Sequence, residues 1–412
     1  MRGAGDQMTV GERIKFYRLR RGLTQEVLAN LVGRKVDWLS KIERGERDVR
    51  RLDVISDVAR ALRVTVPDLF GQPVLMEDEE ANDDIPAVRD ALMTPRRLSR
   101  TLFGVTASPV NVNTVTSAHF VEQAWDGYQS GRLGRVVSSL PGLIETAQQL
   151  EDAANAGAGD VCSCWAVSAR THHLAATALS KVGEADLSWI AAERAMQAAD
   201  HSGDPLVLAS AARAGTHALL AVGRFDDALS LGNTASEWLA PQMAKGDPSA
   251  LSLYGMLHLR TAIAAARRQD RQTAQDLLRQ AFSAAQKLNQ DGNYWQTGFG
   301  PTNVELHRMA ASLDLGDVPY VVEHGPSITV DHLPVERRAT HMIDIARAQS
   351  MVAEDEPALQ NLLAAEQEAP QLVRHNPGVR ETVKAMYRRS PVMGGVKSSP
   401  LSGLAERCRA LQ

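Results

Sequence analysis

Cysteine, aromatic residues and long apolar runs are all scarce in this 412-residue chain, and each shortage removes a class of protein. Three cysteines, Cys162, Cys164 and Cys408, cannot all pair. A Cys-x-Cys with no further ligand cluster is a poor zinc or redox signature, so free thiols are expected. No apolar stretch approaches the roughly 20 residues that span a bilayer, and Met1–Val10 is not followed by one of signal-peptide length. The reading is a cytoplasmic protein with no membrane partner. The chain also lacks a Gly-x-Ser-x-Gly elbow, a Walker glycine loop and a His-Glu-x-x-His helix, and Gly298-Phe-Gly300-Pro has no strand context for a nucleotide fingerprint. With no close His-x-x-x-His pair either, the expectation is no catalytic residue, no metal and no cofactor.

Aromatics make up 5% of the residues against 44% hydrophobic overall, and alanine is prominent from Ala153 onward. That mixture favours helices. At this length two or more domains are expected. The net charge of −4 conceals an asymmetry: residues 1–70 carry 15 Lys and Arg against 10 Asp and Glu, leaving 30 against 39 for the remainder. Only the first segment suits a polyanion.

Apolar spacing predicts short helices in that segment. Val10–Arg21 carries Val10, Ile14, Tyr17 and Leu19 and ends at Gly22. Thr24 caps Gln25–Val32, with Leu28, Ala29 and Leu31 inward, and Gly33 makes a turn. Lys35–Arg44 buries Leu39 and Ile42 and closes at Gly45. Leu52–Leu62 follows, then a short turn at Val66–Phe70. An acidic stretch, Glu77–Asp84, flanked by Pro73 and Pro86, reads as a linker. The expected domains are 1–72, a linker with a short helix over 73–112, and 113–412.

From about Ser117 helix follows helix. Gly223-Arg-Phe225-Asp-Asp-Ala228 with Ala235 has the glycine turn and the small packing residue of a tetratricopeptide junction. Gln269–Ala274, Gly183 and Gly316 echo it at spacings of roughly 35 to 50 residues, where the regular period is 34. The expected architecture is all-α: a five-helix N-terminal domain, then a right-handed solenoid of degenerate helix pairs with a concave binding side.

The stretch LTQEVLANLVGRKVDWLSKIERG, Leu23–Gly45, resembles the helix-turn-helix of Xre/Cro-type regulators. Thr24-Gln25 opens the second helix, Gly33 makes the turn, and Leu39–Gly45 matches the end of the recognition helix. Arg34 departs from the pattern, standing where the family usually has a small apolar residue, so either the turn is slightly remodelled or the side chain snorkels toward a phosphate. The resemblance implies a sequence-specific regulator of double-stranded DNA. Residues near the start of the third helix, Lys35, Val36, Asp37, Ser40 and Lys41, would read base edges. Gln25 would meet a phosphate or an adenine, and Arg44, Arg47, Arg50 and Arg51 the backbone. Trp38 is expected to wedge between helices, and Glu43 to pair with an arginine because phosphates repel a carboxylate.

Behind such a head, the repeats resemble the sensor half of the RRNPP peptide-pheromone regulators. Phe299–Arg308 and Leu333–Ala348 resemble segments of actinobacterial Xre-type regulators with tetratricopeptide-like C-terminal halves. The likeness implies a homodimer and a peptide or small-molecule effector. Arg213, His217, His258, Tyr294, Trp295, Asn303 and His307 are the candidate effector residues, with His341 beside them. The competing reading is a protein-interaction scaffold with little DNA specificity.

Overall fold

A computed structural model describes residues 9–20, 23–47, 52–62, 64, 69, 85–99, 102, 113–390 and 399–411. Its contacts divide the chain into two units, Met1–Met93 and Thr94–Gln412. The described residues are helical with no strand, apart from one isolated bridge, Gly292 to Phe299. None of their helices is long and apolar enough to cross a membrane.

In the first unit α1 (Val10–Arg20), α2 (Gln25–Leu31), α3 (Val36–Glu43) and α4 (Leu52–Leu62) surround one core, and α5 (Ile85–Leu92) follows. Ile14, Leu28, Leu39, Ile42, Val58 and Leu62 fill that core with at most 1% exposure, so the helical stripes read from the sequence point inward. Thr24 caps α2 by accepting from the Val27 amide. Gly33 and Gly45 take the left-handed conformation that ends α2 and α3. Two inward assignments fail. Leu19 is 58% exposed because it lies off the stripe that runs from Ile14, and Leu31 is 61% exposed at the last turn of α2, where Leu28 and Ala29 already fix the inward direction. The expected stop at Gly22 and the acidic stretch Glu77–Asp84 lie outside the described residues, as does most of the Val66–Phe70 turn, within which Leu69 is fully buried.

The second unit is a stack of helix pairs: α6 (Thr114–Gln129) with α7 (Leu133–Asn155), α8 (Val161–Lys181) with α9 (Ala185–Ser202), α10 (Pro205–Ala221) with α11 (Phe225–Met243), α12 (Pro248–Arg267) with α13 (Arg271–Leu288), α14 (Pro301–Asp314) with α15 (Val318–His324), and α16 (Val335–Met351) with α17 (Asp355–Glu368). The chain ends in α18 (Pro370–Arg374), α19 (Pro377–Arg389) and α20 (Pro400–Arg407).

One turn joins every pair. A single residue with positive φ, Gly131, Gly183, Gly223, Gln269, Gly316 or Ala353, sits two positions before the second helix, and the next amide reaches back to a carbonyl of the last helical turn. This is the Schellman arrangement, which glycine adopts without strain. The first helices of successive pairs pack on one another, α8 on α10, α10 on α12, α12 on α14 and α14 on α16. Helix α16 also meets α6, and α18 meets α7, so the inner row closes on itself. Alanine and glycine permit the close approach: Ala262, Ala265 and Ala266 of α12 are fully buried, and a Cβ at Gly232 would lie 2.2 Å from the Thr261 methyl.

Candidate functional site

The head presents one face of α3. Lys35 is the N-cap of this helix, so regular structure starts at Val36. Arg34, Lys35, Val36, Asp37, Arg44 and Arg47 are exposed and Ser40 and Lys41 half-buried, whereas Leu39 and Ile42 are sealed beneath them. A period of 3.6 residues makes this division, placing the polar side chains of one amphipathic helix on a single outward surface. Lys41 donates to Asp37 at 2.8 Å, one turn away, and holds that carboxyl below the usual range. Arg44 pairs with Glu46 at 3.1 Å. Trp38 packs partly into the core, with the Arg34 guanidinium 5.8 Å from its ring centroid. Arg50 and Arg51 lie outside the described residues.

What holds α3 is a buried ion pair. Glu43 accepts from Arg18 Nε at 2.6 Å and from its terminal nitrogen at 2.8 Å, with 1% and 7% of the two side chains exposed. Arg18 also donates to the Leu23 carbonyl, and the Gln25 amide donates to Glu43 at 2.8 Å. One carboxylate at the end of α3 therefore fastens α1, the α1–α2 turn and the start of α2. Gln25, half-buried, spends one amide donor on this contact, and Glu43 pairs with arginine as its charge requires.

The second unit has a polar interior. The inner helices bring Arg213 and His217 of α10 together with His307 of α14 and His341 of α16 along two adjoining cavities, the larger about 300 Å³. Other groups there escaped the sequence reading: Tyr128, His173, Lys181, Arg260, Glu336 and Arg337. For two of them a signal was available, because His172-His173 and Arg260 interrupt helices rich in alanine and leucine, whereas Glu336-Arg337 opens a helix that carries polar residues throughout. Glu336 binds Lys181 at 2.7 Å and Arg337 at 2.6 Å, and although burial opposes it, those two cations hold its carboxyl well below the ordinary range. Burial, reinforced by neighbouring cations, pushes His173, His217 and His307 well below the usual imidazole value, so they stay neutral.

The remaining candidates lie elsewhere. His258 faces a separate cavity lined by Tyr254, Glu237 and Thr273, with its ring 4.2 Å from that of Tyr254. Asn303 is fully buried, and its side-chain amide donates to the carbonyls of Gly298 at 2.9 Å and Thr297 at 3.2 Å, pinning the α13–α14 loop. Tyr294 is 37% exposed on that loop. Trp295, at φ 54°, wedges its ring between two core clusters beneath the Arg170 guanidinium, 4.9 Å from the ring centroid. The same loop is tied down by Asn293 to Gln129 and by Gln296 to Glu122 and Arg170.

Fold and site define a helix-turn-helix head joined in sequence to a helical-repeat unit. Residues 9–69 match the family described as "Helix-turn-helix domain", and they form such a domain. Over 74 residues the chain is 39% identical to the immunity repressor protein of Bacillus phage phi105, a match covering 18% of this chain and 51% of the phage protein. The chain thus spans about half the length of the curated relative it matches. Among solved structures, Bacillus thuringiensis PlcR in complex with the peptide PapR7 and DNA is 15% identical, covering 68% of this chain and 95% of that one at a TM-score of 0.29. The apo form of the competence regulator ComR from Streptococcus vestibularis is 13% identical, covering 76% and 99% at a TM-score of 0.27.

Proposed function

We propose that the protein is a sequence-specific DNA-binding transcription regulator, that residues 1–72 are its DNA-binding domain, and that residues 113–412 dimerise and bind an effector that changes operator affinity. The observation that carries the reading is the outward face of α3, where Lys35, Val36, Asp37, Ser40 and Lys41 lie together over a sealed core in a unit whose sequence matches a helix-turn-helix family. A helix so displayed fits the major groove, with its first turns at base edges. The Asp37–Lys41 pair opens when either meets a base, at little cost for an exposed pair. Arg44 and Arg47 contact the sugar-phosphate backbone.

Competition binding with operators selected from random duplexes tests this. Lys35→Ala or Ser40→Ala lowers preference for the selected sequence by about 1–3 kcal/mol per lost base contact, whereas Arg47→Ala weakens selected and random DNA alike. Equal losses on every sequence from all three variants would refute the placement of α3. Dimerisation places two heads on half-sites about one helical turn apart and is read by sedimentation of free and DNA-bound chain.

A further inference from the structure

We infer that the interior of the repeat unit is a carboxylate-binding site in which Arg213 and Arg260 grip an acidic group of a small ligand. The inference deepens the effector reading above and rests on it. Its basis is the pairing of the cations along the cavity walls. Lys181 and Arg337 are both spent on Glu336. At the far end Arg267 pairs with Asp314 at 3.0 Å, and Arg347 with Asp344 at 3.3 Å. Arg213 and Arg260 remain, and among the described residues neither has a carboxylate within 4.0 Å.

Arg213 is 7% exposed and makes only long contacts, 3.3 Å to His173 and 3.5 Å to the Gln296 carbonyl. Arg260 Nε is buried with no hydrogen-bond partner among the described residues. Two unpaired guanidinium groups facing one chamber are costly, since each loses hydration and repels the other. Burial and that mutual repulsion lower Arg213 to about 9, and burial together with Arg337 lowers Arg260 to about 10. Both remain charged near neutral pH. The histidines around them are neutral and compensate nothing, so the missing counter-charge has to enter with a ligand.

The cavity limits what that ligand is. The chamber that Arg213 and Arg260 share holds about 30 Å³, room for little more than the acid group, and the body has to lie in the adjoining cavity of about 300 Å³ that Arg260 also lines, the small end of ligand pockets, which run from about 300 to 1,000 Å³. A guanidinium offers a planar fork of donors that matches the two oxygens of a carboxylate. The ligand class is therefore a small organic acid or the C-terminal end of a short peptide, with the acid group at Arg213 and Arg260 and the body toward His307 and His341.

Thermal unfolding of the full chain at fixed ionic strength distinguishes these ligands, with succinate, its neutral analogue succinamide, and tri-alanine with a free or an amidated C-terminus as probes. The native chain is expected to gain about 2 °C or more, saturably, from succinate or from free-acid tri-alanine and nothing comparable from the neutral partner of each. The acid that works identifies the source. Arg260→Gln is expected to abolish the gain and Arg260→Lys to restore part of it, and Arg213→Gln gives the same comparison should R260Q not fold. Equal stabilisation by charged and neutral probes, no gain at all, or an unchanged gain in the Gln variants overturns the proposal. Operator binding in the same buffers separates it from the effector reading. A carboxylate gain without change in operator affinity leaves the site standing and removes its regulatory role, whereas an operator response to neutral probes alone removes the carboxylate site and keeps the role.

Discussion

Glu43 shows how one residue decides the geometry of the head. Its place four residues after Leu39 puts it on the inward stripe of α3, where a carboxylate needs a partner. In the folded unit it is the fixed point that Arg18 and Gln25 both reach. Replacing it removes the partner of a guanidinium that is itself only 7% exposed and cannot regain water. Glu43→Ala is expected to cost about 3–5 kcal/mol of head stability, the loss typical when one half of a buried pair is deleted. Urea unfolding followed in the head reads this directly, and a loss within about 0.5 kcal/mol, the size of an ordinary surface change, would show that water solvates Arg18. By contrast, Asp37→Ala, at an exposed position on the outward face of α3, is expected to change head stability by no more than about 0.5 kcal/mol.

At the scale of the element, two features of the backbone matter more than side-chain chemistry. In the head, α1 crosses the end of α3 at Gly11, where a Cβ would stand 1.9 Å from the Ile42 carbonyl oxygen. Backbone cannot yield as a flexible side chain does, so Gly11→Ala is expected to displace α1 and destabilise the head by about 1–3 kcal/mol or more, measured by its thermal midpoint. In the repeat unit the turn residue holds a left-handed conformation whatever its identity. Gln269 tolerates this with help from its side chain, which donates to the Asp314 carbonyl at 2.8 Å and so ties the turn to α14. Ala353, at φ 64°, has no such compensation. Ala353→Gly trades about 1–2 kcal/mol of left-handed strain for a smaller loss of unfolded-state restriction, for a net gain of about 0.5–1 kcal/mol. A lower unfolding midpoint for this variant would contradict the strain argument. The sequence reading found Gly183, Gly223 and Gly316 because glycine advertises such turns, and it missed Ala353 because alanine does not.

Over the whole molecule, the buried imidazoles make stability depend on mild acid. Burial lowers His258 from 6.5 to about 4 and, with nearby arginines, His375 to about 3, while His173, His217 and His307 lie well below 6.5. The unfolded chain binds these protons first, so stability is fully present above about pH 6.5 and declines as pH falls toward each folded value. For His258 the loss between pH 7 and 5 is on the order of 1–2 kcal/mol. Urea midpoints should fall across that interval, and His258→Leu should flatten the decline. An unchanged slope in that variant would mean that the ring takes up its proton without unfolding.

The helical class, the positive N-terminal segment, the helix-turn-helix stripe and most of the repeat turns were legible in the sequence alone, because each depends on spacing within one helix or on the conformational freedom of one residue. Ile14, Leu28, Leu39 and Ile42 announce their burial by period, and Gly223 announces its turn. The polar interior was legible only in part. Arg213, His217 and His307 stood out as polar residues on apolar helices, but nothing local tells that Lys181 and Glu336 meet, that Arg260 Nε has no hydrogen-bond partner among the described residues, or that the Asn303 side-chain amide donates to loop carbonyls. Those pairings join residues from helices far apart in the chain. They exist because the inner row closes until α16 lies against α6, and only that closure decides which cations meet a carboxylate and which two, among the described residues, do not.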